Sequence, residues 1–252
     1  MQIELSSQTI FFIVLLLLVV VLTIKKSVKG GGFSTTLTNG LKGVAILMVI
    51  FSHVGYFLTS DHTFLYPLSV AGGIGVNVFL LLSGFGFTTS ALKSSISLKE
   101  FYFKRLKKIF IPMWVVLGPL LILDFLVLGR HYGFKTVLDS FLGWFPRADV
   151  FLDIDSPLWY FTAILFYYLL FPLIFSKRQP FLSAILMLLL GCILVDLKLP
   201  VVVDVLKLYK LHYMAFPFGM LLAILLRQRL TIPTVASRPI LLTVKFADSI
   251  FS

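Results

Sequence analysis

The sequence predicts an all-α, polytopic bundle of about seven membrane-spanning helices, and three observations carry that expectation. Of its 252 residues 59% are hydrophobic and only 13% are charged, about half the charge of an average soluble domain. Mean hydropathy is +1.01. The apolar residues come in runs close to the length of a bilayer crossing and without barrel-type alternation, and a segment in lipid must satisfy its own amides, which helices do.

The runs justify themselves in order. Residues 8–24 have no cation before them and Lys25, Lys26 and Lys29 behind them, the order of a retained span rather than a cleaved leader. Residues 41–58 contain Lys42 at the start and His53 within. Residues 68–90 are rich in glycine and other small residues. Residues 109–129 follow the cation cluster Lys104-Arg105-Leu-Lys107-Lys108 and carry Asp124. Residues 157–176 open with Trp159 and Tyr160, 180–197 hold the single cysteine, Cys192, and 211–226 complete the set. Several runs are shorter than about 20 residues, so tilt or re-entry is expected for them. From residue 230 to 252 the apolar pattern is interrupted by Pro233, Arg238, Pro239 and Lys245, which reads as an irregular tail behind one membrane domain, 1–229.

A net charge of +11 would point to nucleic acid in a soluble protein, but here the cations flank apolar runs. They act as an orientation signal and suit anionic headgroups, so membrane lipids rather than nucleic acid are the expected partners. An outside N-terminus leaves fourteen Lys and Arg in cytoplasmic segments against six outside, with Lys42 near the cytoplasmic face. One cysteine excludes an internal disulfide framework and a cysteine metal cluster, and no metal site is expected.

His53 lies eleven positions after Lys42. At about 100° per residue the two side chains fall within about 20° of one helix face, with His53 about 16 Å deeper, near the middle of the bilayer core. Ionisable groups are costly in a bilayer and face a bundle interior or a wet cavity, so this helix is where function is sought first. Two readings of the ring stay open: a hydrogen bond to a neighbouring helix, or chemistry. Asp124 either pairs with His53 or is drawn to the outer interface. His62, His131 and His212 lie near proposed outer ends, where solvated or interfacial histidine is expected. The outer connection Asp139 to Pro157, with Trp144, Arg147, Asp149, Asp153 and Asp155, is either a solvated loop or a contact for a polar ligand.

Four segments, in order, are similar to one family. Gly40-Leu-Lys42-Gly43-Val-Ala45 through Ser52-His53 resembles the opening motif of the membrane acyltransferase 3 family, a basic residue, ten intervening residues and a histidine. Gly75-Val-Asn77-Val-Phe79 through Ser83-Gly84-Phe85 resembles its second motif. Phe103-Lys-Arg105-Leu-Lys-Lys108-Ile109-Phe-Ile-Pro112 resembles its basic segment, and Pro157-Leu-Trp159-Tyr160-Phe its later helix start. Together they fall within residues 37–175.

The resemblance implies an integral-membrane O-acyltransferase of the inner or plasma membrane. Such an enzyme moves an acyl group, for instance acetyl, from acyl-CoA, a co-substrate and not a bound cofactor, to a hydroxyl of a cell-envelope carbohydrate or lipid-linked sugar. It implies His53 as catalytic base and Lys42, Arg105 and Lys108 as donor-binding cations. Asn77, Ser83, Asp124, Trp159 and Tyr160 are candidates for substrate contact or cavity wall. Lys42 stands where the family often has arginine, losing the two-pronged fork, and Asn77 where aspartate is common, losing acidity but not hydrogen bonding. The family carries more core helices than this chain supplies. That leaves a natural short form, a truncated product, or a chain that closes its cavity with a second copy or another subunit. Two rival readings remain: a carrier or channel subunit with His53 and Asp124 lining a polar path, and an inactive truncated family member.

Overall fold

The structure, a computed structural model, describes residues 35–56, 66–94, 97–146, 158–197 and 203–231, with six positions between 11 and 22. The run expected at 8–24 therefore falls largely outside the described residues, as do Lys25, Lys26, Lys29, His62 and the tail from residue 232 onward. The described residues contain helices and turns and no strand. In order the helices are α1 (Thr35–Tyr56), α2 (Tyr66–Lys93), α3 (Leu98–Leu128), α4 (Phe134–Phe141), α5 (Trp159–Ile174), α6 (Pro180–Asp196), α7 (Val203–His212) and α8 (Ala215–Thr231). Among the described residues four stretches are long and apolar enough to cross a membrane: α1, α2, α3, and α7 with α8 read as one; α5 and α6 are shorter apolar helices.

Six of the seven expected runs are thus found as helices; the run expected at 211–226 is divided, its start ending α7 and the rest forming α8, and two others differ in extent. α3 begins at Leu98 rather than at residue 109, because the basic segment is itself amphipathic. Phe101 is buried on the inner face while Lys104, Lys107 and Lys108 are exposed on the outer one. α1 begins at Thr35, so Lys42 lies about 10 Å inside the helix rather than at its mouth.

Contacts fix the relative heights. Phe87 of α2 meets Phe101 of α3 and Tyr168 of α5. Asn77 of α2 meets His212 of α7, and Arg227 of α8 donates to the Leu92 carbonyl of α2 at 2.8 Å. α2 and α8 therefore run parallel, and Lys93, the α3 cations and Arg227 gather at one end, here called the basic end. α2 and α8 cross at Gly84 and Gly219, where each glycine faces the other helix's backbone. A side-chain-free crossing lets the two helices touch.

Aromatic rings fill the space between α2, α3, α5 and α8. Phe87, Phe101, Phe171 and Phe216 form one buried cluster with Tyr167 and Met220. The break between α7 and α8 has a local cause. Pro217 has no amide hydrogen, so the Tyr213 carbonyl four residues earlier loses its helical donor. The Tyr167 hydroxyl of α5 donates to that carbonyl instead, at 2.7 Å. Tyr167→Phe is expected to destabilise the fold by about 1–3 kcal/mol, read as earlier unfolding of detergent-purified protein. An unshifted transition would show that this bond does not hold the break.

Candidate functional site

The first ring, His53, sits in the last turn of α1. Its Nδ1 donates to the Val49 carbonyl at 2.7 Å, and the neighbouring Ser52 hydroxyl donates to the same carbonyl at 2.8 Å. A carbonyl only accepts, so Nδ1 carries the proton and Nε2 the lone pair. Ser52 is buried against α2 at Gly72, where an added Cβ would come within 2.2 Å of its hydroxyl. Gly72 lies about 31 Å along α2 from Lys93. His53 therefore stands in the last turn of α1, beside the part of α2 that is remote from the basic end. Lys42 is exposed, about 16 Å back along α1.

The second ring, His212, was expected at a wet outer end and is instead 5% exposed. Its Nδ1 donates to Asn77 Oδ1 at 2.9 Å, which again leaves the lone pair on Nε2. Trp159 at the start of α5 stacks on it, with ring centres 5.5 Å apart and planes at 22°. Gly73 of α2 faces its Cε1. Adjacent glycines of α2 thus face the two histidine-bearing elements, which puts both imidazoles at one height. Asn77 and Trp159 meet through His212, which lies outside the four family-like segments. The signal was present: Val205, Tyr209, His212, Phe216 and Met220 recur at helical spacing and are all buried.

The remaining candidates form separate groups. Ser83 shares a hydrogen bond with Tyr168, and Arg105 lies beside that tyrosine. The Arg105 guanidinium sits 4.7 Å above the Phe87 ring, so it is held on the bundle side of α3. Lys104 is paired with Glu100, both exposed, and such a pair contributes little stability. A cavity of about 640 Å³ is lined by Lys104, Arg105, Lys107 and Lys108 with Phe103 and Pro112. Tyr160 packs against Phe79, ring centres 6.2 Å apart, and is part of the wall of the bundle.

Asp124 lies deep, 1% exposed, near the far end of α3. Its Oδ2 accepts from the Tyr132 hydroxyl, so its partner is that tyrosine and not His53. Its Oδ1 is buried with no hydrogen-bond partner among the described residues. Tyr132 lines a second cavity, of about 430 Å³, with His131, Lys135, Asp139 and Trp144. Arg147, Asp149, Asp153 and Asp155 lie outside the described residues.

A family model described as an acyltransferase domain, that of the acyltransferase 3 family, matches residues 38–247. No curated protein and no solved structure matches the chain.

Proposed function

The chain belongs to the acyltransferase 3 family, and on that premise we propose that it transfers an acyl group from acyl-CoA to a hydroxyl of a cell-envelope carbohydrate or lipid-linked sugar. The observation that carries the reading is the His53 ring, whose Nδ1 is committed to the Val49 carbonyl so that Nε2 is the basic nitrogen. Neutral imidazole with a pKa near 6.5 is the usual base for such a step near neutral pH. The acceptor O–H gives its proton to Nε2 as its oxygen bonds to the thioester carbonyl carbon. The C–S bond then breaks, and the leaving thiolate takes the proton back from the imidazolium. The products are an ester and free CoA thiol.

The donor carries several phosphates, and the cavity lined by Arg105, Lys107 and Lys108 offers cations to them. In this reading the basic end is cytoplasmic, the N-terminus is outside, and the acyl group is carried along the bundle toward the imidazoles. That direction agrees with the charge bias between the two ends.

The test uses the full chain in proteoliposomes with radiolabelled acetyl-CoA and an envelope polysaccharide extract. Release of CoA thiol together with label on the glycan, above chain-free vesicles, is the expected result. A chain that neither binds acetyl-CoA nor releases thiol sinks the reading, and solute transport under the same conditions would select the carrier instead.

A further inference from the structure

We propose that the cavity of about 430 Å³ beside α4 is a carbohydrate subsite that takes one hexopyranose unit of the acceptor glycan. This deepens the transferase reading and rests on it for the acceptor role; sugar recognition itself stands on the cavity.

The volume lies within the roughly 300–1,000 Å³ of ordinary small-molecule sites. Its wall offers the two chemistries that a sugar ring presents. Trp144 and Tyr132 supply aromatic surface for the C–H face of a pyranose, while His131, Lys135 and Thr136 supply hydrogen-bonding groups for hydroxyls. Asp139 supplies a carboxylate, which accepts strong hydrogen bonds from hydroxyl donors and repels phosphate. One cation and one carboxylate face this cavity, whereas the basic cavity presents four cations, of which Lys104 is paired with Glu100. The donor's phosphates and a neutral sugar are thereby sorted to different places.

The wall is fixed before any ligand arrives. Trp114 Nε1 of α3 donates to the Phe141 carbonyl at 2.9 Å, which ties the end of α4 to α3. The Phe145 amide donates to Thr162 Oγ1 at 2.8 Å, and that hydroxyl donates to the Gly143 carbonyl at 2.9 Å. Trp144 is thus clamped on both sides of its own backbone, and a pre-ordered aromatic loses little freedom on binding. Behind the wall, buried Asp124 holds the Tyr132 hydroxyl and keeps one oxygen unpartnered among the described residues. A carboxylate kept at such a cost within a spanning helix points to function.

Position agrees with the role. Phe145, at the edge of the cavity, packs on Phe161 of α5, two residues from the Trp159 that stacks on His212. Phe161 and Trp159 point about 200° apart on α5, so the cavity wall and the Trp159–His212 stack lie at similar height on opposite faces of that helix, with Asp124 and Tyr132 at the end of α3 remote from the basic cluster.

The experiment is retention on a glycan array bearing neutral, N-acetylated and uronic hexopyranose oligosaccharides, with the fluorescently labelled full chain in nanodiscs. Wild type should hold at least one hexopyranose class, and Trp144→Ala should lower that retention at least about tenfold. Asp139→Asn, whose carboxylate carries no hydrogen bond within the described fold, should weaken it in the same direction without the risk of misfolding. No acyl donor is present, so retention reads the subsite alone. Glycan held by a chain that releases no CoA thiol would leave the subsite standing and remove the transferase reading. Retention of no hexopyranose glycan by wild type, or retention untouched by both substitutions, overturns the proposal.

Discussion

His53→Ala is expected to lower acyl transfer by about 10²- to 10⁴-fold, equivalent to about 3–5.5 kcal/mol in the barrier. The loss should appear in turnover and leave folding nearly intact, for a reason visible at the site. Removing the ring deletes one of two side-chain donors to the Val49 carbonyl, but the Ser52 hydroxyl stays on it at 2.8 Å. The carbonyl keeps a partner, so no buried acceptor is orphaned. Ser52 also keeps its seat against Gly72, so the α1–α2 contact survives. The measurement is label transfer from acetyl-CoA at equal membrane abundance, with thermal unfolding followed in parallel. Turnover unchanged from wild type would take His53 out of the mechanism.

Gly219→Ala and Gly84→Ala are expected to break the packing of α2 on α8. An alanine Cβ at 219 would stand 1.9 Å from the Leu81 carbonyl oxygen, and one at 84 would stand 2.1 Å from that of Phe216. Both obstacles are backbone, which cannot rotate aside as a side chain does. The helices would have to separate by more than about 1 Å to reach an ordinary C···O contact. Separation would loosen Phe216 and Met220, both fully buried, and strain the Arg227 bond to Leu92 and the His212 bond to Asn77. A cost of about 3 kcal/mol or more is expected for either substitution. Gly86 is the control: on the same helix, an added Cβ meets nothing within 4 Å, so Gly86→Ala should be neutral or slightly stabilising. Size-exclusion profiles and unfolding temperatures in detergent compare the three. Identical behaviour of Gly84→Ala and Gly86→Ala would refute the crossing.

The spans were legible because lipid imposes one rule on every residue of a run, and composition alone then reveals the run. The shorter amphipathic pieces were not. Phe134–Phe141 is only eight residues long, too brief for a span and hidden in a polar connection. Val203–His212 contains Asp204, Lys207 and Lys210, which dilute its hydropathy. Its buried face shows only when Val205, Tyr209 and His212 are read with Phe216 across the turn. The Lys42–His53 spacing put both residues on one helix, but the start at Thr35 was hidden, since residues 35–40 carry no apolar run. The Asp124 partner was unreadable for another reason: Tyr132 returns to it through the turn after α3, a tertiary choice that local pattern does not encode. Gly84 as a packing position was legible, because a small residue in an apolar helix points to a close neighbour. Its partner Gly219, far along the chain, was not.

Gly72 and Gly73 leave the two histidine sides of α2 with unequal freedom to vary. At position 73 a methyl group would rest 3.6 Å from His212 Cε1, an ordinary contact, whereas at 72 it would collide with Ser52. Small residues can therefore replace one glycine while the other is pinned. Successive side chains on a helix point about 100° apart, so such a change would alter the packing beside the Trp159–His212 stack without disturbing the Ser52 contact of α1. The face of α2 toward α7 can thus vary while its face toward α1 stays fixed.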